Sequence, residues 1–118
     1  MINVLVVDDD DDLAEMVTMV LNKAGMCVRS IGKGELFFDT VDHFKPDVIL
    51  MDIYLGDRDG RDLCRTLKSG ERSTQVPVIL YSAGHITTAS IRESGADAFI
   101  PKPFVNEQII KQINELIN

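Results

Sequence analysis

The hydrophobic positions fall into two alternating patterns. Val4-Leu5-Val6-Val7 is a continuous apolar run that suits a strand buried on both faces. After it, Leu13, Val17, Val20, Leu21 and Ala24 recur at helical spacing, and Gly25 supplies a helix stop. The alternation then repeats. Residues 27–31 predict a second, weaker strand, and residues 34–44 a helix with Phe37, Val41 and Phe44 on one face. Pro46 prevents its continuation. Val48-Ile49-Leu50-Met51 is a third buried run, followed by a short helix over 60–69 with Leu63, Cys64 and Leu67 inward. Residues 76–81 predict a fourth strand, with Pro77 tolerable only near its start. Residues 86–94 predict a weak helix, because Thr87, Thr88 and Ser90 are poor helix formers. Ala98-Phe99-Ile100 is a short fifth strand, and Phe104, Ile109, Ile113, Leu116 and Ile117 mark the last helix.

Five βα units follow one another with no linker, repeat or low-complexity segment, so residues 1–118 read as one domain. Strict βαβ alternation implies a five-stranded parallel sheet covered by helices on both faces, a three-layer α/β/α sandwich. In such sheets ligands bind beyond the carboxyl ends of the strands. The residues at those ends are Asp8-Asp9, Asp52, Ser82, and Lys102 followed by Pro103. If the strands are adjacent and parallel, three carboxylates, a hydroxyl and an ammonium converge on one edge. Three clustered carboxylates repel, and burying them unpaired is costly. A divalent cation resolves the conflict, and an all-oxygen set with open water positions favours Mg²⁺ over Ca²⁺. A carboxylate beside such an ion and an ammonium is prepared to receive a phosphoryl group as its nucleophile.

Charge and composition narrow the field. Lysine plus arginine total 12 and aspartate plus glutamate 19, a formal net charge of −7. A chain of that sign is a poor ligand for nucleic acid or an anionic membrane. At 45% hydrophobic content it is no disordered acidic tail, and no apolar run approaches the ~20 residues that span a bilayer. Met1-Ile2-Asn3 lacks the basic start of a secretory signal. Cys27 and Cys64 fit no zinc spacing and read as reduced thiols of a cytoplasmic protein, with disulfide pairing as the alternative. Five of the acids are consecutive, Asp8 to Asp12. At least one of Asp10, Asp11 and Asp12 is expected to cap the first helix. An EF-hand reading of the run fails, since its sixth position is Leu13 rather than Gly and its twelfth is Met19 rather than Glu. His43 and His85 read as solvent-facing.

With these residues in view, the chain resembles the CheY-like receiver domains of two-component response regulators, from Ile2 to about Leu116. The resemblance is carried by Val-Leu-Val-Val-Asp8-Asp9-Asp10, Pro46-Asp47-Val48-Ile49-Leu50-Met51-Asp52, Asp59-Gly60, Leu80-Tyr81-Ser82-Ala83, Gly95-Ala96-Asp97 and Phe99-Ile100-Pro101-Lys102-Pro103-Phe104. It implies a flavodoxin-like sheet of order 2-1-3-4-5, the order that CheY itself exemplifies. It implies Asp52 as phosphoacceptor and Asp8 and Asp9 as the acidic pair. Asp9 would bind Mg²⁺ directly and Asp8 mostly through water. The metal set is completed by Asp52 and the backbone carbonyl of Tyr54. Ser82 matches the switch hydroxyl, Lys102 the phosphate-binding lysine, and Phe99 the aromatic switch position. A cis peptide is implied at Lys102-Pro103.

The resemblance further implies a signalling module that takes phosphate from a histidine kinase or phosphotransfer protein. The response is a reshaped surface over the fourth helix (86–94), fifth strand (98–100) and last helix. A homodimer through that face is one option, although Ala98 and the lone Lys111 of the last helix depart from the winged-helix regulators that pair this way. The chain also has Leu55-Gly56 where many relatives have Met-Pro, which predicts a looser loop. Tyr54 and Gly84 occupy variable positions that tune phosphoryl lifetime in the family. Two other readings compete. A haloacid-dehalogenase-type phosphohydrolase would use the Asp8-x-Asp10 spacing, but Asp12 stands where Thr is usual and no later acidic pair follows the lysine. A receiver-like module that is never phosphorylated would have no need of the complete set Asp8, Asp9, Ser82 and Lys102.

Overall fold

The structure is a computed structural model, and it describes residues 1–70, 75–104 and 106–117. The described strands are β1 (Asn3–Val7), β2 (Cys27–Ile31), β3 (Val48–Asp52), β4 (Val78–Ser82) and β5 (Ala98–Pro101). The helices are α1 (Asp11–Lys23), α2 (Phe37–Phe44), α3 (Gly60–Ser69), α4 (Thr88–Ser94) and α5 (Asn106–Ile117). The strands form one parallel sheet in the order β2-β1-β3-β4-β5, as the resemblance implied.

The alternation of side chains along each strand builds two cores. Val4, Val6, Leu50, Ile79 and Tyr81 face the layer of α1 and α5, where they meet Val17, Leu21, Ile109 and Ile113. Leu5, Val7, Ile49, Met51 and Leu80 face the other layer and meet Phe37, Val41, Leu63 and Leu67. Every residue of β3 and β4 is buried, which is why both read as unbroken apolar runs. Cys64 lies in the second core, where burial pushes its thiol up to about 11. Cys27 is exposed on edge strand β2, and both thiols are free.

The helix ends follow local chemistry. Asp10 is the α1 cap, its Oδ1 accepting from the amides of Asp12 (3.1 Å) and Leu13 (3.2 Å). Gly25 ends that helix at φ +88°, with its own amide on the Asn22 carbonyl and the Met26 amide on the Leu21 carbonyl. That pair of bonds is a Schellman motif, for which a residue without Cβ is suited.

Several boundaries differ from expectation, four of them for reasons the contacts make plain. The single helix predicted over 34–44 is a 3-10 turn (Gly34–Leu36) leading into α2, because the Asp57 carboxylate accepts from the Gly34 amide at 2.9 Å and the Glu35 amide at 3.0 Å. The fourth strand starts at Val78 rather than Val76: Pro77 has no N–H for the ladder, though its carbonyl accepts from Ile49. α4 starts at Thr88 because Thr87 is its cap, with Oγ1 accepting from the Ser90 amide at 3.1 Å. Phe104 precedes α5 and packs edge-on against Tyr81.

Asp10→Ala removes the α1 cap while sparing the core, and is expected to cost about 1 kcal/mol in urea unfolding.

Candidate functional site

The carboxyl ends of β1, β3, β4 and β5 bring the predicted residues to one edge. Asp8 follows β1 and is 1% exposed, while Asp52 ends β3 and is 6% exposed. Asp9 is exposed beside them. Asp8, Asp9 and Asp52 each place a carboxylate oxygen within 4.8 Å of the others. Lys102, one residue past β5, donates from Nζ to Asp52 Oδ2 at 2.9 Å and lies 3.9 Å from Asp8 Oδ2. Its backbone amide donates to the Ser82 carbonyl at 2.9 Å, which anchors the lysine to the end of β4. The Lys102–Pro103 peptide is cis, as implied.

Each acid is held by further donors. Asp8 Oδ1 accepts from the Asp10 amide at 2.9 Å, and Oδ2 from the Tyr81 hydroxyl at 2.7 Å. Asp52 Oδ1 accepts from the Tyr54 amide at 3.0 Å. Asp9 Oδ2 accepts from the Gly56 amide at 3.1 Å. That last bond gives meaning to Leu55-Gly56: a proline at position 56 has no N–H to offer Asp9. The loop predicted to be loose is closed by reciprocal backbone bonds between Leu55 and Arg58, and Asp57 ties it to the 3-10 turn. Gly60 admits no side chain, because a Cβ there would collide with the Asp52 carbonyl.

Charge explains the protonation tendencies. Burial pushes the Asp8 carboxyl up. The Asp10 amide, the Tyr81 hydroxyl and the Lys102 ammonium oppose that rise, and Asp52 adds to it. Burial, reinforced by Asp8, also drives the Tyr81 phenol far above its ordinary value, so it remains a donor. An all-oxygen cluster of three carboxylates matched against a single ammonium retains uncompensated negative charge. Such a donor set fits a hard divalent cation of the Mg²⁺ type.

The remaining predicted residues lie around this cluster. Ser82 is buried, and its Oγ accepts from the Gly84 amide at 3.2 Å. It does not cap α4, whose cap is Thr87. Phe99 is half-buried against the core shared with α2 and α3. Tyr54 is 53% exposed, and its ring lies within contact distance of a Cβ built on Gly84. His43 and His85 are exposed, and the His43 ring bonds the Asp39 carbonyl. Two participants carry no clear signal in the sequence. Tyr81 sits inside an apolar strand run, and only its place beside Ser82 and opposite Asp52 hints at the site. Arg61 bonds both Asp59 oxygens and Ser90 Oγ, and so links the start of α3 to α4.

Comparison with known proteins places this arrangement. Residues 4–114 match the family model of the response regulator receiver domain. The DNA-binding response regulator MtrA of Mycolicibacterium smegmatis is 36% identical over 112 residues, covering 93% of this chain and 48% of that protein. The chain thus spans about half the length of the curated relatives it matches. The receiver domain of Francisella response regulator 1452 superposes with a TM-score of 0.88 at 28% identity, covering 99% of this chain and 97% of that one. The chemotaxis response regulator CheY4 of Vibrio cholerae shares the fold, with a TM-score of 0.90 at 22% identity over 98% of each chain. The chain belongs to the response regulator receiver domain family, and it is a signalling domain of a two-component system. A phosphohydrolase reading is not favoured.

The upward shift of Asp8 has a pH consequence. A carboxyl whose folded pKa is raised binds its proton more tightly folded than unfolded, so ionised Asp8 weakens the metal-free fold at neutral pH and the penalty fades as pH falls through the folded pKa. Asp8→Asn is therefore expected to raise the urea midpoint of the metal-free protein at pH 7. The gain should shrink under acid conditions that protonate Asp8 itself.

Proposed function

We propose that Asp52 is the phosphoacceptor of this receiver, working with Mg²⁺ held by Asp8, Asp9, Asp52 and the Tyr54 backbone carbonyl. The observation that carries the reading is the 2.9 Å contact between Lys102 Nζ and Asp52 Oδ2 inside a cluster of three carboxylates. Mg²⁺, when bound, neutralises the cluster and the oxygens of an incoming phosphoryl group.

The chain's own groups supply the rest. Asp52 attacks phosphorus with a carboxylate oxygen. The bond from phosphorus to the donor nitrogen of a phosphohistidine breaks, and that nitrogen leaves with the electron pair. Lys102 is already at Asp52 and moves with little rearrangement onto a phosphoryl oxygen. Ser82 Oγ, now an acceptor for the Gly84 amide, turns its hydroxyl proton toward another phosphoryl oxygen. Phe99 then swings into the space beside Ser82, and the face of α4, β5 and α5 changes shape. The phosphoryl group shifts the equilibrium only because it binds one arrangement better than the other. α4 is a seven-residue helix joined to α3 through Arg61 to Ser90 and through Arg65 to the Glu93 carbonyl, so these links are among those that must yield.

The partners of this reading are a histidine kinase or phosphotransfer protein upstream, and an output domain or protein downstream. The setting is the cytoplasm, where such kinases present their phosphohistidine. With a formal charge of −7 the domain itself acts through protein partners rather than by gripping nucleic acid. The same residues give it self-phosphorylation and self-dephosphorylation chemistry rather than turnover of an outside substrate.

The test is an amide-resolved NMR titration with Mg²⁺ and beryllofluoride or acetyl phosphate. Shifts are expected at Ser82, Phe99 and along α4, and they are expected to vanish in Asp52→Ala. An unchanged response in Asp52→Ala refutes the assignment.

A further inference from the structure

Lys102 has two buried carboxylates within reach but bonds only one of them. Its Nζ is 2.9 Å from Asp52 Oδ2 and 3.9 Å from Asp8 Oδ2. A buried carboxylate oxygen left bare would draw the ammonium strongly. Asp8 Oδ2 is not bare, because the Tyr81 hydroxyl donates to it at 2.7 Å. We propose that the Tyr81 hydroxyl is a positioning group of this site, which fixes the Asp8 carboxylate for Mg²⁺ and leaves Lys102 to Asp52. The inference rests on the Mg²⁺-dependent reading above and adds a residue to it.

The surroundings of Tyr81 hold the hydroxyl in place. The side chain is 2% exposed in the core shared with α1 and α5. Its backbone is fixed between two neighbouring strands, in register with Asp52 on β3 and Ile100 on β5. The ring meets Phe104 edge-on, with centroids 5.5 Å apart, and Lys102 Nζ lies 5.0 Å from the Tyr81 ring centroid. Burial and the strand register on both sides, rather than the single Phe104 contact, confine this hydroxyl far more closely than solvent exposure would. Asp8 therefore has both oxygens committed, Oδ1 to the Asp10 amide and Oδ2 to Tyr81. A carboxylate oxygen has a second lone pair, so Asp8 keeps acceptor capacity for the metal or its water while its orientation is set.

Without the hydroxyl, Asp8 Oδ2 loses its donor and Lys102 is the nearest replacement. The ammonium would be drawn between Asp52 and Asp8, and Asp8 would turn out of the orientation in which it meets the metal or its water. Weaker Mg²⁺ binding follows, without any change to a ligand.

The experiment measures Mg²⁺ affinity by NMR titration in the wild type, Tyr81→Phe and Phe104→Leu. Tyr81→Phe is expected to bind Mg²⁺ about tenfold more weakly, the scale on which outer partners of metal ligands act. Phe104→Leu removes the ring partner and keeps the hydroxyl, so its affinity is expected to stay within about twofold of wild type. In the wild type, the Tyr81 ring carbon bearing the hydroxyl should shift with the same midpoint as the Asp8 and Asp52 amides. This third measurement decides the matter if Tyr81→Phe does not fold. The proposal is overturned if Tyr81→Phe retains wild-type affinity, if Phe104→Leu loses as much, or if the ring carbon ignores Mg²⁺. A wild-type protein that binds no Mg²⁺ overturns the metal reading itself, and is recognised before any variant is compared.

Discussion

Two buried carboxylates and one ammonium do not balance, and the site is organised around that mismatch. Asp8 and Asp52 end neighbouring strands of a sheet whose flanks are apolar, so neither has bulk water to spread its charge. Lys102 reaches across from β5 and bonds Asp52. Backbone amides from Asp10 and Tyr54 and a phenol from Tyr81 share the remaining oxygens, and the Gly56 amide holds the exposed Asp9 beside them. All of these donors except Lys102 are neutral, so they ease burial without removing the charge. The fold thus carries an excess of negative charge on one edge, the kind of imbalance that a divalent cation would relieve.

The sheet is what makes this arrangement rigid. β3 and β4 are buried on both faces, and their ends cannot drift without disturbing two cores at once. Flexibility is displaced to the flanks. α4 is short, and its hydrogen bonds with α3 include Arg61 to the Ser90 hydroxyl and Arg65 to the Glu93 carbonyl. A stiff floor with a lightly tethered neighbour is a setting in which a change at Asp52 can alter a surface without unfolding the site.

Much of this is legible in the sequence, for a specific reason. Asp8, Asp52, Ser82 and Lys102 each follow an apolar run, and an apolar run long enough to be a buried strand announces its own end. Parallel topology then brings those ends together. What stays hidden depends on contacts that no spacing encodes. Tyr81 counts as one more apolar position, because the hydroxyl at the tip of its ring finds its role only where β4 lies beside β3 and near the end of β1. The Gly56 amide and the Asp57 carboxylate work through tertiary contacts 47 and 23 residues away, so the bonds that tie this loop to Asp9 and to the 3-10 turn leave no mark in its own sequence. The start of α4 slips for a local reason: Thr87 scores as a poor helix former, whereas a threonine at the cap position favours the helix it precedes.

The strand order carries a consequence for biosynthesis. Asp8 is made first, Asp52 later, and the cation that meets them is Lys102, supplied by the last strand. A chain emerging from the ribosome therefore holds its acids before their counter-charge, and until residue 102 is made the nascent sheet edge has carboxylates without that ammonium. Only when β5 docks beside β4 do acid and base face each other. The charge balance of this edge is thereby tied to completion of the fold, and partly made copies of the domain lack its ammonium.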